Sequence, residues 1–320
     1  MGRPPNWAPA GVLVPCERGR VASLTGALCD PRHTNGRQRG TCNELRHERT
    51  FGNSRRNVVC RKVFGPASIQ RVTSLRLLSG ESPRGPAFGT ALSAAILQRV
   101  ATGELPETAR LNRPGRVVTF GRRDVVSDGY RAAVEAARVA GYETVERIAG
   151  GRAAAYNGEA LNLSHAVRDP SPARSTQARF EAWAELVREA LAELGVDARI
   201  GEVEGEYCPG AFSVNAGGRL KLAGIGQRMI KGAAHVGCVV VAADSAGLRG
   251  ALVPVYEALG LDWDPETAGS VEDVVEGIGP DDVHDALRRA LAERFELTEA
   301  EFDTATLELA ARLEPRHRPG

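Results

Sequence analysis

The chain has 320 residues, 42% of them apolar, with 41 Lys or Arg against 40 Asp or Glu and a formal net charge of +1. That is the balance of a globular protein with one large domain or two small ones. No apolar run reaches the ~18 residues of a membrane span, and no apolar segment follows a basic start, so a cytoplasmic protein without membrane contact is expected.

The near-neutral total hides an asymmetry. Residues 1–71 carry 13 basic against 4 acidic side chains, whereas residues 72–320 carry 28 against 36. The acidic body argues against a nucleic-acid partner. The basic arm is rich in Arg, Gly, Pro, Asn and Thr without helical or strand period, and reads as a disordered extension. Cysteines fall at Cys16, Cys29, Cys42, Cys60, Cys208 and Cys238. None forms a CxxC pair, and the spacings in the arm fit no zinc template even with His33 and His47, so no metal site is expected.

In chain order, the folded part begins with a strand near Val72 that carries Leu75 and Leu77. Residues 88–101 set Phe88, Leu92, Ile96 and Val100 at helical spacing, and residues 105–115 read as a loop with a short strand. A strand over 116–122 precedes an Ala-rich helix over 130–140 that Gly141 closes. Residues 143–167 read strand, Gly-Gly turn, strand, Asn-Gly turn, strand. After a polar linker at 169–176, the clearest helix spans 177–194, with Phe180, Trp183, Val187, Leu191 and Leu194 on one face. A strand over 198–205, a turn at Cys208, a hairpin across Gly217-Gly218 and a long β stretch to Val241 follow. From 246 onward the pattern is helical, over 246–259, 281–295 and 298–313, the last with Thr298 as N-cap and Glu301 three residues later. Strands and helices mixed without regular βαβ alternation predict an α+β or mixed-sheet α/β fold. There is no GxGxxG after a strand and no GxxxxGK[ST], so dinucleotide and P-loop readings lack support.

The most informative stretch is 202–241. It holds two of the three lysines in the chain, Lys221 and Lys231, the third being Lys62. Where nearly every cation is Arg, a retained ammonium marks a task for a compact, movable charge with a tunable pKa. Cys208 stands in a Tyr-Cys-Pro-Gly turn outside any apolar run, whereas Cys238, inside Val236–Val241, reads as a core thiol. Gly217-Gly218 in a turn, Gly224 and Gly226 just after Lys221, and Gly232 and Gly237 beyond let backbone come close to a ligand. A thiol, a lysine and open glycines together point to acyl or phosphate chemistry. Upstream, Gly150-Gly151-Arg152 with Arg147 reads either as a plain turn between strands or as a holder for a carboxylate or phosphate.

Three blocks resemble the lipoate–protein ligase A and octanoyltransferase family. The first is Val117–Phe120 with Gly121-Arg122-Arg123-Asp124. The second runs from Arg147 through Gly150-Gly151-Arg152-Ala153 to Leu161-Asn162-Leu163-Ser164. The third runs from Val214 through Lys221, Gly224 and Gln227-Arg228 to His235-Val236-Gly237. Arg152 stands where the family usually has a third Gly, Tyr156 where a His often sits, and Glu146-Arg147 replaces a paired Arg.

The resemblance spans about 72–315 and implies a catalytic domain over 72–320, built on a central mixed β-sheet flanked by helices, with a helical C-terminal part. It implies protein lipoylation: attachment of an octanoyl or lipoyl group to a lysine of a lipoyl carrier domain, either a dehydrogenase E2 subunit or the glycine cleavage H protein. Two chemistries are implied. In the transferase, Cys208 carries the acyl group as a thioester taken from acyl carrier protein, and Lys221 polarises the carbonyl. In the ligase, ATP and Mg²⁺ activate free lipoate to an acyl-adenylate held by Lys221 and the Gly150–Arg152 turn, and Cys208 is incidental. Arg147, Gly150, Gly151, Arg152, Asn162, Gly224, Gln227 and His235 would bind the acyl or adenylate group, with no tightly bound cofactor. The transferase is the leading expectation, and a non-catalytic acyl-binding member is a third reading. A monomer is expected.

Overall fold

A computed structural model describes residues 73–320. The basic arm, with Lys62, four of the cysteines, His33 and His47, lies outside the described residues.

Strand β1 (Thr73–Leu78), helix α1 (Pro86–Thr102) and strand β2 (Thr108–Asn112) form a parallel unit with β1 beside β2. Strand β3 (Arg116–Phe120), the one-turn helix α2 (Arg122–Val125), helix α3 (Tyr130–Val139) and strand β4 (Glu143–Glu146) repeat that plan, with β3 and β4 parallel. Strand β5 (Ala154–Asn157) completes a three-stranded sheet ordered β4-β3-β5. The chain then returns through β6 (Ala160–Arg168), α4 (Thr176–Glu193), β7 (Ala198–Ile200), β8 (Val214–Ala216), β9 (Leu220–Ile230) and β10 (Ala233–Val241). Helices α5 (Ser245–Leu259) and α6 (Pro280–Ala292), strand β11 (Phe295–Glu299) and helix α7 (Thr304–Leu313) end it. The larger sheet has the order β11-β1-β2-β6-β10-β9-β8-β7, parallel across its first three strands and antiparallel beyond. This is the expected mixed sheet flanked by helices, with a small second sheet added.

The two faces of the large sheet differ because side chains alternate along each strand. One face presents Leu75, Leu77, Leu111, Leu163, Val236 and Cys238 to α4 and α6, which return Trp183, Val187, Leu191, Val283, Leu287 and Leu291. The other face carries polar side chains and glycines. Arg110, Ser164, Gly237 and Gly226 are in register across four strands, as are Asn112, Asn162, Val239 and Gly224. The small sheet, α3 and α5 share a second core that includes Phe120, Tyr130, Tyr207, Leu252 and Tyr256.

The C-terminal part departs from the helical expectation. Phe295–Glu299 is a strand, an edge of the large sheet paired parallel with β1. Its backbone groups are used in that ladder, and Ala300 N–H continues it to the Leu77 carbonyl at 2.9 Å. Thr298 therefore cannot cap a helix. The cap is Asp303, whose carboxylate accepts from the Thr306 N–H at 2.9 Å. The predicted strand over 198–205 is shorter too. Regular structure stops at Ile200, and Gly201 and Gly205 take left-handed φ values of +149° and +80°, opening an irregular loop that carries Cys208.

Candidate active site

A cavity of about 1150 Å³ lies over the polar, glycine-rich face of the large sheet. Its floor includes Gly224, Gly226, Gly237, Val239, Asn162 and His235, so three positions on β9 and β10 offer no side chain to fill the space above them. At one end Phe180 and Phe212 stack, ring centroids 5.0 Å apart, and both line the cavity. Cys208, Arg147, Gly150, Gly151 and Lys221 line it as well.

Cys208 is half-buried and has φ +43°, a left-handed conformation that costs a residue with a Cβ roughly 1–2 kcal/mol. Its peptide is held from both sides. The N–H donates to the Tyr256 hydroxyl at 2.8 Å, and the carbonyl accepts from Lys221 Nζ at 2.8 Å. Cys208 Sγ accepts from the Arg152 backbone N–H at 3.2 Å and from Arg147 Nη2 at 3.5 Å. Burial pushes the thiol upward. The positive charges of Arg147 and Lys221 and the two N–H contacts outweigh it, so the thiol sits below its ordinary range.

Lys221 extends from β9, one residue past the hairpin turn, and its side chain is 1% exposed. Besides the Cys208 carbonyl, Nζ donates to Glu206 Oε1 and to the Tyr207 carbonyl, both at 2.9 Å. All three ammonium protons are thereby committed. Glu206 is equally buried and organises the rest of the loop. Its carboxylate accepts from Ser213 Oγ at 2.6 Å, from Gly210 N–H at 3.0 Å and from Val203 N–H at 3.1 Å.

The Gly-Gly turn reaches the thiol because Gly151 has φ +101°. A Cβ there would lie 2.5 Å from Arg147 Nη2 and 2.8 Å from Cys208 Sγ, so any other residue would push both groups away. The turn also abuts the end of β3, where a Cβ on Gly121 would meet the Gly151 carbonyl oxygen at 1.9 Å. The first two sequence blocks are thus in contact. Arg147 Nη2 also donates to the Arg152 carbonyl. The Arg152 guanidinium turns to Asp124 Oδ1 at 3.2 Å and does not line the cavity. Arg152 contributes its backbone N–H.

The remaining expected residues divide. Asn162 and His235 lie on the cavity floor, and burial holds the His235 imidazole down to about 3, so it stays neutral. Gly224 lies against Lys221, where a Cβ would be 3.5 Å from Cε. Gln227 also lines the cavity, its side chain accepting from Arg179 Nε and donating to the Thr176 carbonyl, both at 2.9 Å. Its own carbonyl receives the Gly150 N–H at 3.3 Å. Sequence reasoning missed Glu206, Tyr207 and Tyr256. The signal for Glu206 was present, an acid two residues before the thiol and near an isolated lysine. Nothing in the sequence marks Tyr256. Among the described residues no three His, Cys, Asp or Glu side chains are grouped as for a metal ion.

Comparison with known proteins places these blocks in context. The family model described as lipoyl protein ligase A/B catalytic domain matches residues 85–292, well over half of the chain. A Bacillus velezensis protein named octanoyl-[GcvH]:protein N-octanoyltransferase is 29% identical over 214 residues, 65% of this chain and 74% of that protein. A Listeria monocytogenes protein named lipoyl-[GcvH]:protein N-lipoyltransferase is 28% identical over 154 residues, 47% of this chain and 55% of that one. The solved structure of lipoate-protein ligase A bound with ATP has a TM-score of 0.60 at 22% identity, covering 76% of this chain and 95% of its own. The bipartite lipoate protein ligase of Thermoplasma acidophilum gives 0.58 at 22% identity, covering 76% and 93%. At that identity the two structures share the fold.

Proposed function

Since this chain belongs to the lipoyl protein ligase A/B catalytic-domain family, we propose that it is a protein-lipoylation enzyme moving an octanoyl or lipoyl group between lysines of lipoyl carrier proteins through a thioester on Cys208. One observation carries the reading: Cys208 lines the cavity with a lowered pKa and faces the Arg152 N–H and the Arg147 guanidinium. A thiol held below its ordinary range by positive neighbours is more readily ionised, and the thiolate is the nucleophile such a transfer needs.

The thiolate attacks the acyl carbonyl carbon. The C–S bond forms, and the π electrons move to oxygen, where the Arg152 N–H, Arg147 and the nearby Lys221 charge favour the developing oxyanion. Collapse breaks the C–N bond and the donor lysine leaves as an amine, having taken up a proton. The acceptor lysine attacks the thioester and returns a proton, regenerating the thiolate. One lysine amide replaces another, so no nucleotide has to be hydrolysed. The relatives' names point to an H-protein donor in place of acyl carrier protein. For Lys221 the hydrogen bonds support a positioning part. With its three protons given to the loop it anchors the turn and supplies charge, and the carbonyl is left to the other two donors.

Intact mass of an apo lipoyl domain tests the reading, with octanoyl-H protein, octanoyl-acyl carrier protein, or octanoate plus MgATP as alternative donors. Octanoylation from the H protein without ATP, with a trapped octanoyl adduct on Cys208, is expected. Transfer from the acyl carrier protein alone would move the donor, and modification solely with MgATP would favour the ligase.

A further inference from the structure

Cys208 keeps an unfavourable backbone conformation, and two side chains hold it there. Lys221 takes the carbonyl end of the residue, as described. The amide end belongs to Tyr256, which comes from α5, outside the three blocks that resemble the family. Tyr256 is 2% exposed, and its ring lies against Trp263 with centroids 5.4 Å apart. Its hydroxyl accepts from the Cys208 N–H at 2.8 Å and donates to the Ala153 carbonyl at 2.9 Å. A phenol has one proton to give, and this one is spent on Ala153 while a lone pair takes the Cys208 amide.

We infer that Tyr256 is the positioning residue of the nucleophile, bridging the Cys208 turn to the Gly150–Ala153 turn so that the Arg152 N–H and Arg147 reach Sγ. The Ala153 carbonyl lies two peptide units past the Arg152 N–H, so holding it restrains the short segment that presents that N–H to the thiolate. Loss of the hydroxyl leaves a Cys208 donor and a buried Ala153 acceptor unpaired, and leaves the two contacts at Sγ as the tie between the turns. Burial holds the phenol well above its ordinary value, so it stays a protonated donor throughout the working range of pH. Tyr256 touches neither reacting atom. It acts through where it holds Cys208 and the turn opposite.

The consequence for turnover rests on the transfer reading, but the positioning itself has an independent readout in the reactivity of the thiol. Tyr256→Phe removes one oxygen and keeps the ring. Tyr142→Phe is the control. The Tyr142 hydroxyl donates to the Gly247 carbonyl of the same helix at 2.9 Å, away from the thiol. In the full chain, the rate of Cys208 alkylation by iodoacetamide is followed against pH by peptide mass, alongside acyl transfer between carriers. For Tyr256→Phe the midpoint of alkylation moves up by about one pH unit as the positive partners drift from sulfur. Acyl transfer falls about 10- to 100-fold with the carrier KM unchanged. Tyr142→Phe moves neither. A Tyr256→Phe protein with the wild-type alkylation profile and wild-type transfer overturns the inference. If wild-type protein acquires no acyl group from any donor while Tyr256→Phe still shifts the alkylation midpoint, the transfer reading falls and the positioning role stands. Should Tyr256→Phe not fold, amide hydrogen exchange of the wild type decides: protection of the Cys208 N–H supports the bridge, and exchange as fast as an exposed loop amide overturns it.

Discussion

Cys208 and Cys238, the two cysteines among the described residues, lie on opposite sides of the large sheet, and their thiols are shifted in opposite directions. Cys208 is in an irregular loop over the cavity, with a left-handed backbone and two arginine-derived donors at sulfur. Cys238 is in the middle of β10, 1% exposed among aliphatic side chains, and burial pushes its thiol up to about 12. Both are largely removed from water. What separates them is the company each sulfur keeps, since desolvation raises a thiol unless fixed positive charge and N–H groups are supplied with it. Alternation along β10 sends Cys238 to the core, and the loop between β7 and β8 brings Cys208 to the cavity on the other face.

The largest test of this contrast is removal of each sulfur. Cys208→Ala abolishes the acyl adduct and lowers transfer by about 10³-fold or more, whereas Cys238→Ala keeps transfer within about twofold and costs roughly 1–2 kcal/mol in denaturant unfolding. Wild-type transfer by Cys208→Ala would sink the thioester mechanism. The next effect is that of Lys221→Met, which strands the buried Glu206 carboxylate. A loss of roughly 3–5 kcal/mol is expected, and Glu206→Gln in the same chain should recover part of it. Gly151→Ala sharpens the comparison from the opposing turn. Its methyl displaces Arg147 and Sγ, and acyl transfer should fall about 10-fold or more while Cys208 alkylation shifts to higher pH.

The smallest effects are those of pH, and they have opposite signs. Cys208 is lowered from an ordinary 9.0, so its contribution to stability is present above pH 9 and lost as pH falls through the folded pKa. Cys238 is raised from 9.0 to about 12, so its contribution is full below pH 9 and lost as pH rises from there toward 12. Unfolding free energy measured from pH 7 to 11 should therefore fall less steeply at the alkaline end for Cys238→Ala than for wild type. Identical slopes would show that Cys238 is not held as a neutral thiol.

Much of this was legible in the chain before any coordinates. Composition and the period of apolar residues gave the mixed fold and most helices. The isolated Lys221, the turn around Cys208 and the Gly-Gly block stood out in the chain, and the structure brings them to one cavity. The apolar run Val236–Val241 assigned Cys238 to the core, because a mid-strand thiol among aliphatics has nowhere else to go. The errors have physical causes as well. Phe295–Glu299 alternates so briefly that helix and strand periods are hard to tell apart, and its state depends on the open edge of β1. Gln227 lines the cavity as well, and its bond to Arg179, 48 residues away in sequence, is one that no local pattern marks.

The sequence by itself determined which groups are present: among the described residues a thiol in a Tyr-Cys-Pro-Gly turn outside the apolar runs, the ammonium of Lys221, and glycines spaced along the same stretch. Those are local properties of residue type and immediate neighbours. Only the tertiary structure decided what each group does. It committed all three Lys221 protons to the Cys208 loop, turned the Arg152 guanidinium to Asp124 while leaving its N–H for sulfur, and brought Tyr256 to the Cys208 amide. Hydrogen-bond partners and the field at a sulfur atom are set by distances of a few ångströms between segments far apart in the chain, and no local pattern records them.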